Sequence, residues 1–123
     1  MLEMAGSFEV KRIYAPAADE DGFRVLVDRL WPRGVKRASA KIDLWAKDVA
    51  PSDALRREFH GAPERWKDFV AAYREELQRE PAASAARNLL VRGKQGPVTL
   101  LYAARDEAHN NAVALKAWLE EQE

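Results

Sequence analysis

Two short stretches of this sequence carry the side chains best suited to chemistry. In the first, residues 28–33, Asp28 is followed by Arg29, and in the second, residues 105–110, Asp106 follows Arg105. Arginine can hold phosphate or carboxylate with two parallel hydrogen bonds. Carboxylates and imidazole can take up and release protons. The residue types therefore indicate binding of a small anion, with acid–base chemistry open to the same groups.

We predict a single site formed from both stretches. Its catalytic candidates are Asp28, Asp106 and His109, and its ligand-binding candidates are Arg29, Trp31, Arg33, Arg105 and Asn110. Structural roles remain open for several of them. Asp106 also fits the N-cap of a helix, and Trp31 either stacks on a base or packs in the core.

The elements that must position these residues are two strands and a helix. Val25 to Val27 form an apolar run within a predicted strand over 23–30, which Pro32 ends. A second apolar strand is predicted over 98–103, followed by a final helix over 107–121 whose first turn presents free N–H groups. If the two strands are parallel neighbours, both stretches leave the same edge of the sheet, where α/β proteins bind ligands.

The remaining elements complete a small α/β fold. Alternation predicts a strand over 8–14, which either forms a hairpin with strand 23–30 or lies parallel to it through a crossover. A helical turn and a short edge strand are expected at 35–41 and 42–45. Helices are predicted over 52–59, 63–80 and 82–92, with Ser52 as the N-cap of the first and Gly93 as the end of the last.

One apolar stripe follows the second of these helices at helical spacing. It consists of Trp66, Phe69, Val70, Tyr73 and Leu77, and we expect it to be largely buried. The whole pattern predicts one α/β domain over residues 8–121, with a small, mostly parallel sheet covered by helices. Residues 1–7 are expected to be a frayed start or a remnant of cloning.

Composition restricts the classes of function. The 123 residues are 47% hydrophobic and 33% charged, with a net charge of zero, which is typical of a globular protein rather than a general nucleic-acid binder. The sequence contains no cysteine, so thiolate chemistry is excluded. We predict no metal site and no cofactor, because two histidines and no glycine-rich phosphate loop are present. Without an apolar segment of signal or membrane length, a cytoplasmic location is expected.

Five strings of residues also carry a family resemblance. They are K-R-I-Y (11–14), R-V-L-V-D-R-L-W-P-R-G (24–34), D-L-W-A-K-D-V-A-P-S (43–52), L-R-R-E-F (55–59) and L-L-Y-A-A-R-D-E-A-H-N-N-A (100–112). Together they resemble the YeaO-like branch of the bacterial domain-of-unknown-function family 488, DUF488. The resemblance extends over nearly the whole chain and implies a small single-domain α/β protein, without implying an activity.

The resemblance adds candidates outside the two stretches. They are Tyr14, Lys47, Asp48, Ser52 and Arg56. Lys47 and Arg56 would extend an anion pocket and Ser52 would contact the ligand, whereas the structural alternative is a capped helix with surface charges.

Three functions remain open at this point. The first is an enzyme or sensor that acts on a small anionic, phosphate- or nucleotide-like ligand. The second is a nucleic-acid binding module that uses the basic segment 24–37 with Trp31. The third is a partner-binding domain that uses helix 63–79, if its apolar stripe proves exposed. No membrane partner is expected, and the oligomeric state is open.

Overall fold

The fold is built around a four-stranded parallel sheet, as seen in a computed structural model that describes residues 8–122. The expectation for residues 1–7 therefore lies outside the described residues. The strands are β1 (Phe8–Arg12), β2 (Phe23–Leu26), β3 (Leu44–Trp45) and β4 (Val98–Tyr102), in the spatial order β1-β4-β2-β3. This confirms the predicted α/β fold. The first two strands are not a hairpin, because β4 lies between them and is parallel to both.

Five helices accompany the sheet in the described part of the chain. They are α1 (Arg37–Ala40), α2 (Asp53–Phe59), α3 (Trp66–Glu76), α4 (Ala82–Gln95) and α5 (Asn111–Gln122), with single 3₁₀ turns at Asp19–Asp21, Lys47–Val49 and Pro63–Arg65. None of the helices in residues 8–122 is long and apolar enough to cross a bilayer.

The central strand β4 divides the core into two unequal parts. All five of its side chains are buried, and successive side chains point to opposite faces. Leu100 and Tyr102 belong to the large cluster formed with helices α2 to α5. Leu101 belongs to a small cluster on the other face, which residues such as Trp31 and Trp45 cover. The helices therefore stabilise one face, and the segment between β2 and β3 closes the other.

Helix α4 runs through the glycine that was expected to end it. Gly93 is buried inside the helix, and a Cβ atom at this position would lie 2.7 Å from the ring of Phe8. Phe8 is itself fully buried. The glycine therefore allows the helix to approach β1 closely instead of terminating it.

The last helix begins later than predicted. Residues 107–110 form a turn, and α5 starts at Asn111. Asn110 accepts a hydrogen bond from the backbone N–H of Val113 through its Oδ1 atom, at 2.9 Å. The prediction that Asp106 caps this helix is therefore wrong, because Asn110 occupies the N-cap.

Candidate functional site

A cleft of about 590 Å³ opens at the carboxyl ends of β2 and β4. Its walls come from residues 28–33, from the end of α2, from the start of α3 and from the segment 103–111. The two strands are parallel neighbours, with Leu26 opposite Leu101. The segments that follow them therefore meet, as the sequence predicts for this edge. The volume lies within the ~300–1,000 Å³ that small-molecule sites usually occupy.

Asp28 lies in the wall of the cleft, directly after β2, and is half-buried. Its Oδ2 atom accepts a hydrogen bond from the backbone N–H of Ala103 at 2.9 Å, and its Oδ1 atom accepts one from Nδ2 of Asn111 at 3.1 Å. Burial raises the pKa of the Asp28 carboxyl, while these two hydrogen bonds act in the opposite direction. The carboxylate joins the ends of both strands to the start of α5.

Asn111 is a site residue that the sequence reasoning missed. Its Nδ2 atom donates to the backbone oxygen of Val27 at 2.9 Å as well as to Asp28. The available signal was the repeated asparagine at 110–111, of which only Asn110 was considered. One asparagine caps the helix and the other holds the carboxylate, so the pair has two separate roles.

Three arginines line the cleft. Arg29 donates from Nε to the oxygen of Pro51 and from Nη2 to the oxygen of Ala50, both at 3.1 Å. A guanidinium has five N–H donors, so these bonds fix Arg29 and leave donors for a ligand. Arg33 and Arg56 are exposed. Since two aspartates, Asp28 and Asp106, share this wall with three arginines, the lining carries a net positive charge even when both carboxylates are ionised.

Arg105 does not join the other arginines. Its side chain is exposed and lies outside the lining of the cleft, although Ala104 and Asp106 belong to that lining. The expected convergence of Arg29, Arg33 and Arg105 therefore does not occur. Arg56, which only the resemblance suggested, lies in the wall instead.

Asp106 and His109 form a local pair in the turn before α5. Asp106 accepts hydrogen bonds from the backbone N–H groups of Ala108 and His109, at 2.9 and 3.0 Å, and its Oδ2 atom lies 3.1 Å from Nδ1 of His109. The backbone N–H of His109 is the largest cause that holds the pKa of Asp106 below its ordinary value. Asp106 is exposed and ionised, so it organises the turn and is poorly suited to act as a general acid.

An aromatic wall was not expected at this site. Phe69 stacks on Trp66 with their ring centres 5.6 Å apart, and Phe59 meets Phe69 edge-on at 5.8 Å. All three rings are half-buried and line the cleft, and His109 packs edge-on against Trp66. The stripe of α3 packs against the core as predicted, but its burial is uneven: Trp66 and Phe69 in the first turn are only partly buried, whereas Tyr73 and Leu77 are fully buried.

Two of the remaining candidates have structural contacts instead of a place in the lining. Ser52 accepts from the backbone N–H of Leu55 at 3.1 Å, which confirms it as the N-cap of α2, and its hydroxyl donates to Glu76. Lys47 places its ammonium 4.5 Å from the ring centre of Trp45.

Trp31 and Tyr14 line the rim of the cleft but already have partners. Trp31 donates from Nε1 to the oxygen of Val35 at 2.7 Å and has Arg37 over its ring. The Tyr14 hydroxyl donates to the backbone oxygen of Arg33 at 2.8 Å. Both side chains therefore help to hold the backbone of residues 31–35, the segment that carries Arg33.

Within residues 8–122, no group of three or more histidine, aspartate or glutamate side chains is arranged to hold a metal ion. Asp28, Asp106 and His109 instead contact backbone groups, an amide and each other.

The amino-acid sequence matches one protein family and several uncharacterized bacterial proteins. The model of the family DUF488-N3i, described as "Inactive DUF488-N3 subclade", matches residues 7–123. The chain belongs to this family. The uncharacterized protein YeaO of Escherichia coli K12 is 40% identical over 113 residues, which cover 92% of this chain and 96% of YeaO. No solved structure matches the chain significantly.

Mycobacterial proteins are similar to the chain to the same degree. The uncharacterized protein Rv3073c of Mycobacterium tuberculosis H37Rv is 42% identical over 106 residues, covering 86% of this chain and 87% of the relative. The uncharacterized protein Mb3100c of Mycobacterium bovis shows the same identity and coverage. The similarity covers most of the length of each of these relatives.

Proposed function

We propose that this DUF488 protein binds a small anionic ligand, of the phosphate- or nucleotide-bearing class, in the cleft at the carboxyl ends of β2 and β4. The observation that carries the proposal is the net positive lining, in which Arg29, Arg33 and Arg56 border an aromatic wall. Guanidinium groups hold phosphate or carboxylate through charge-assisted, often paired hydrogen bonds, and three of them in one lining can act on the same anion.

The chemistry of the site favours binding over turnover. Each oxygen of Asp28 already accepts a hydrogen bond. Asp106 is tied to the backbone of its own turn. The family description contains the word "Inactive", which agrees with a cleft that holds its acidic groups in structural roles. A sensor or carrier of the ligand fits these features better than an enzyme.

Nucleic-acid binding by segment 24–37 is the weaker candidate. Arg37 lies 4.5 Å from the ring centre of Trp31 and 5.6 Å from that of Trp45. Both indole N–H groups donate to backbone oxygens, of Val35 and Asp28. Because a cation already lies over each ring, a base could stack on that face only if the contact were broken.

Thermal melting with added anions tests the proposal. A ligand that binds only the native state raises the melting temperature, so we expect phosphate or a nucleotide to stabilise the wild-type protein. Arg56→Ala should reduce this stabilisation while costing little stability, because its ion pair with Asp53 is exposed and 3.3 Å long. Arg57→Ala is the matched control, since Arg57 is the next residue of α2 and lies outside the lining.

The outcomes are distinguishable. If phosphate, sulfate and a nucleotide panel all leave the melting temperature unchanged, the binding proposal fails. If oligonucleotides bind instead, with an affinity that falls steeply as salt is added, the nucleic-acid function is supported.

A further inference from the structure

The cleft combines two features that an inorganic anion would not use. The first is the aromatic wall of Phe59, Trp66 and Phe69. The second is Asp28, a half-buried carboxylate in the same lining. An anion alone gains nothing from aromatic rings and is repelled by a carboxylate. The lining therefore indicates a ligand with a second, non-anionic part.

The aromatic wall selects the shape of that part. Trp66 and Phe69 stack on each other, with 25° between their planes, and each half-buried ring leaves part of its surface open to the cleft. A flat ring packs on such a surface by stacking, and this interaction tolerates any base because every base has a π-face. A ring that covers these side chains would also remove their exposed apolar area from water.

Asp28 selects the hydrogen-bonding pattern of that part. A carboxylate has about four acceptor positions, and Ala103 and Asn111 fill two of them. These two bonds come from separate elements, the end of β4 and the start of α5, and together they hold the group in one orientation. The remaining lone pairs accept only from N–H or O–H donors, so an oxo group at the same place would be rejected.

We propose that the ligand is nucleotide-like and carries a flat heteroaromatic ring whose exocyclic amino group donates to Asp28, while its phosphate is held by Arg33 and Arg56. This inference rests on the proposed function and adds the identity of the ring. Adenine and cytosine present an amino group where hypoxanthine and uracil present an oxygen. Within each pair, adenine with hypoxanthine and cytosine with uracil, the exocyclic group changes from a donor to an acceptor while shape and charge stay nearly constant.

Calorimetric titration of the full chain with matched ligands tests the inference. The ligands are inorganic phosphate, ribose 5-phosphate, and the 5′-monophosphates of adenosine, inosine, cytidine and uridine. We expect at least one amino nucleotide to bind about tenfold or more tightly than its oxo partner, because the oxo group would leave Asp28 facing a second acceptor. Equal binding within both pairs would overturn the inference.

Two variants locate the effect. Asp28→Asn replaces one acceptor oxygen by a donor, so it should remove or invert the preference for the amino nucleotide. The control is Asp19→Asn, at an exposed position outside the lining, which should leave the preference intact. Trp66→Leu should weaken the binding of nucleotides and leave the binding of ribose 5-phosphate unchanged, since ribose 5-phosphate has no aromatic base to stack. A preference that survives in Asp28→Asn would show that Asp28 does not read the ring.

The two proposals fail in different ways. If phosphate and ribose 5-phosphate bind and a base adds no affinity, the proposed function stands and this inference is overturned. No binding of any of these ligands overturns the proposed function itself. If Asp28→Asn does not fold, the wild-type pairs together with Trp66→Leu still decide the question.

Discussion

Asn111, at the start of α5, donates a hydrogen bond to Asp28, which lies 83 positions earlier in the chain, at 3.1 Å. The same amide group also donates to the backbone oxygen of Val27. One side chain therefore fastens the beginning of the last helix to the end of β2. The contact holds the Asp28 carboxylate, which belongs to the lining of the cleft, against the first residue of α5.

Loss of this amide should destabilise the fold. We expect Asn111→Ala to lower the free energy of unfolding by about 1–3 kcal/mol, because Asp28 and Val27 each lose a donor in a half-buried place. Urea denaturation measures the change. Asn88→Ala is the control, since Asn88 is exposed on α4, and it should change stability by no more than about 0.5 kcal/mol. Equal effects of the two substitutions would contradict a fastening role for Asn111.

Asp28 should also give stability a pH dependence of a defined sign. Burial raises its pKa in the folded state, so the folded protein binds the proton more tightly than the unfolded chain does. Stability from this group is therefore fully present below the unfolded pKa of about 4 and falls as the pH rises toward the folded pKa. The other carboxylates with resolved shifts, such as Asp106, act in the opposite direction.

A difference measurement isolates this contribution. We expect the stability of wild type relative to Asp28→Asn to decrease as the pH rises from about 4, because asparagine does not titrate. Denaturation at a series of pH values, at constant ionic strength, gives both curves. A difference that is constant with pH, or that grows as the pH rises, would show that the carboxyl is not destabilised by burial.

The sequence predicted the position of the site, at one edge of the sheet, more successfully than it predicted which side chains form the site. The apolar runs at 25–27 and 98–103 identified β2 and β4, although β2 ends at Leu26 and not at Leu30. The general position of ligand sites in parallel sheets placed Asp28 in the cleft. Those signals are local or apply to all α/β folds. They do not depend on how a particular side chain packs.

The errors concern choices that only tertiary contacts decide. Asp106 and Asn110 are equally good N-cap residues, and the bond from Asn111 to Asp28 favours the later start of α5. Helical spacing showed that Trp66 and Tyr73 share a face of α3. It could not show that one end of this face is open to a cleft while the other end is covered by the core.

Phe69 should report on both packing and binding. Truncation of a fully buried phenylalanine to alanine lowers the free energy of unfolding by about 3–5 kcal/mol. Phe69 is only half-buried and lines the cleft. We therefore expect Phe69→Ala to cost less than this range and to weaken nucleotide binding. Leu89→Ala, at a site that is 1% exposed, should cost about 2–5 kcal/mol and leave the ligand affinity of the folded protein unchanged. A larger stability loss at Phe69 than at Leu89 would contradict an open aromatic wall.

Gly93 provides a test of the contact between α4 and β1. Alanine is favoured over glycine inside a helix by about 1 kcal/mol, so an unconstrained Gly93→Ala substitution would stabilise the protein. Here the added Cβ would lie 2.7 Å from the ring of Phe8, which is fully buried and surrounded by core residues. Overpacking of this kind costs about 1–3 kcal/mol, so we expect a net loss of stability in urea denaturation. Gly93→Ala combined with Phe8→Leu should recover part of the loss caused by the glycine substitution, because the shorter side chain makes room for the methyl group. A gain in stability from Gly93→Ala alone would show that α4 does not approach β1 this closely.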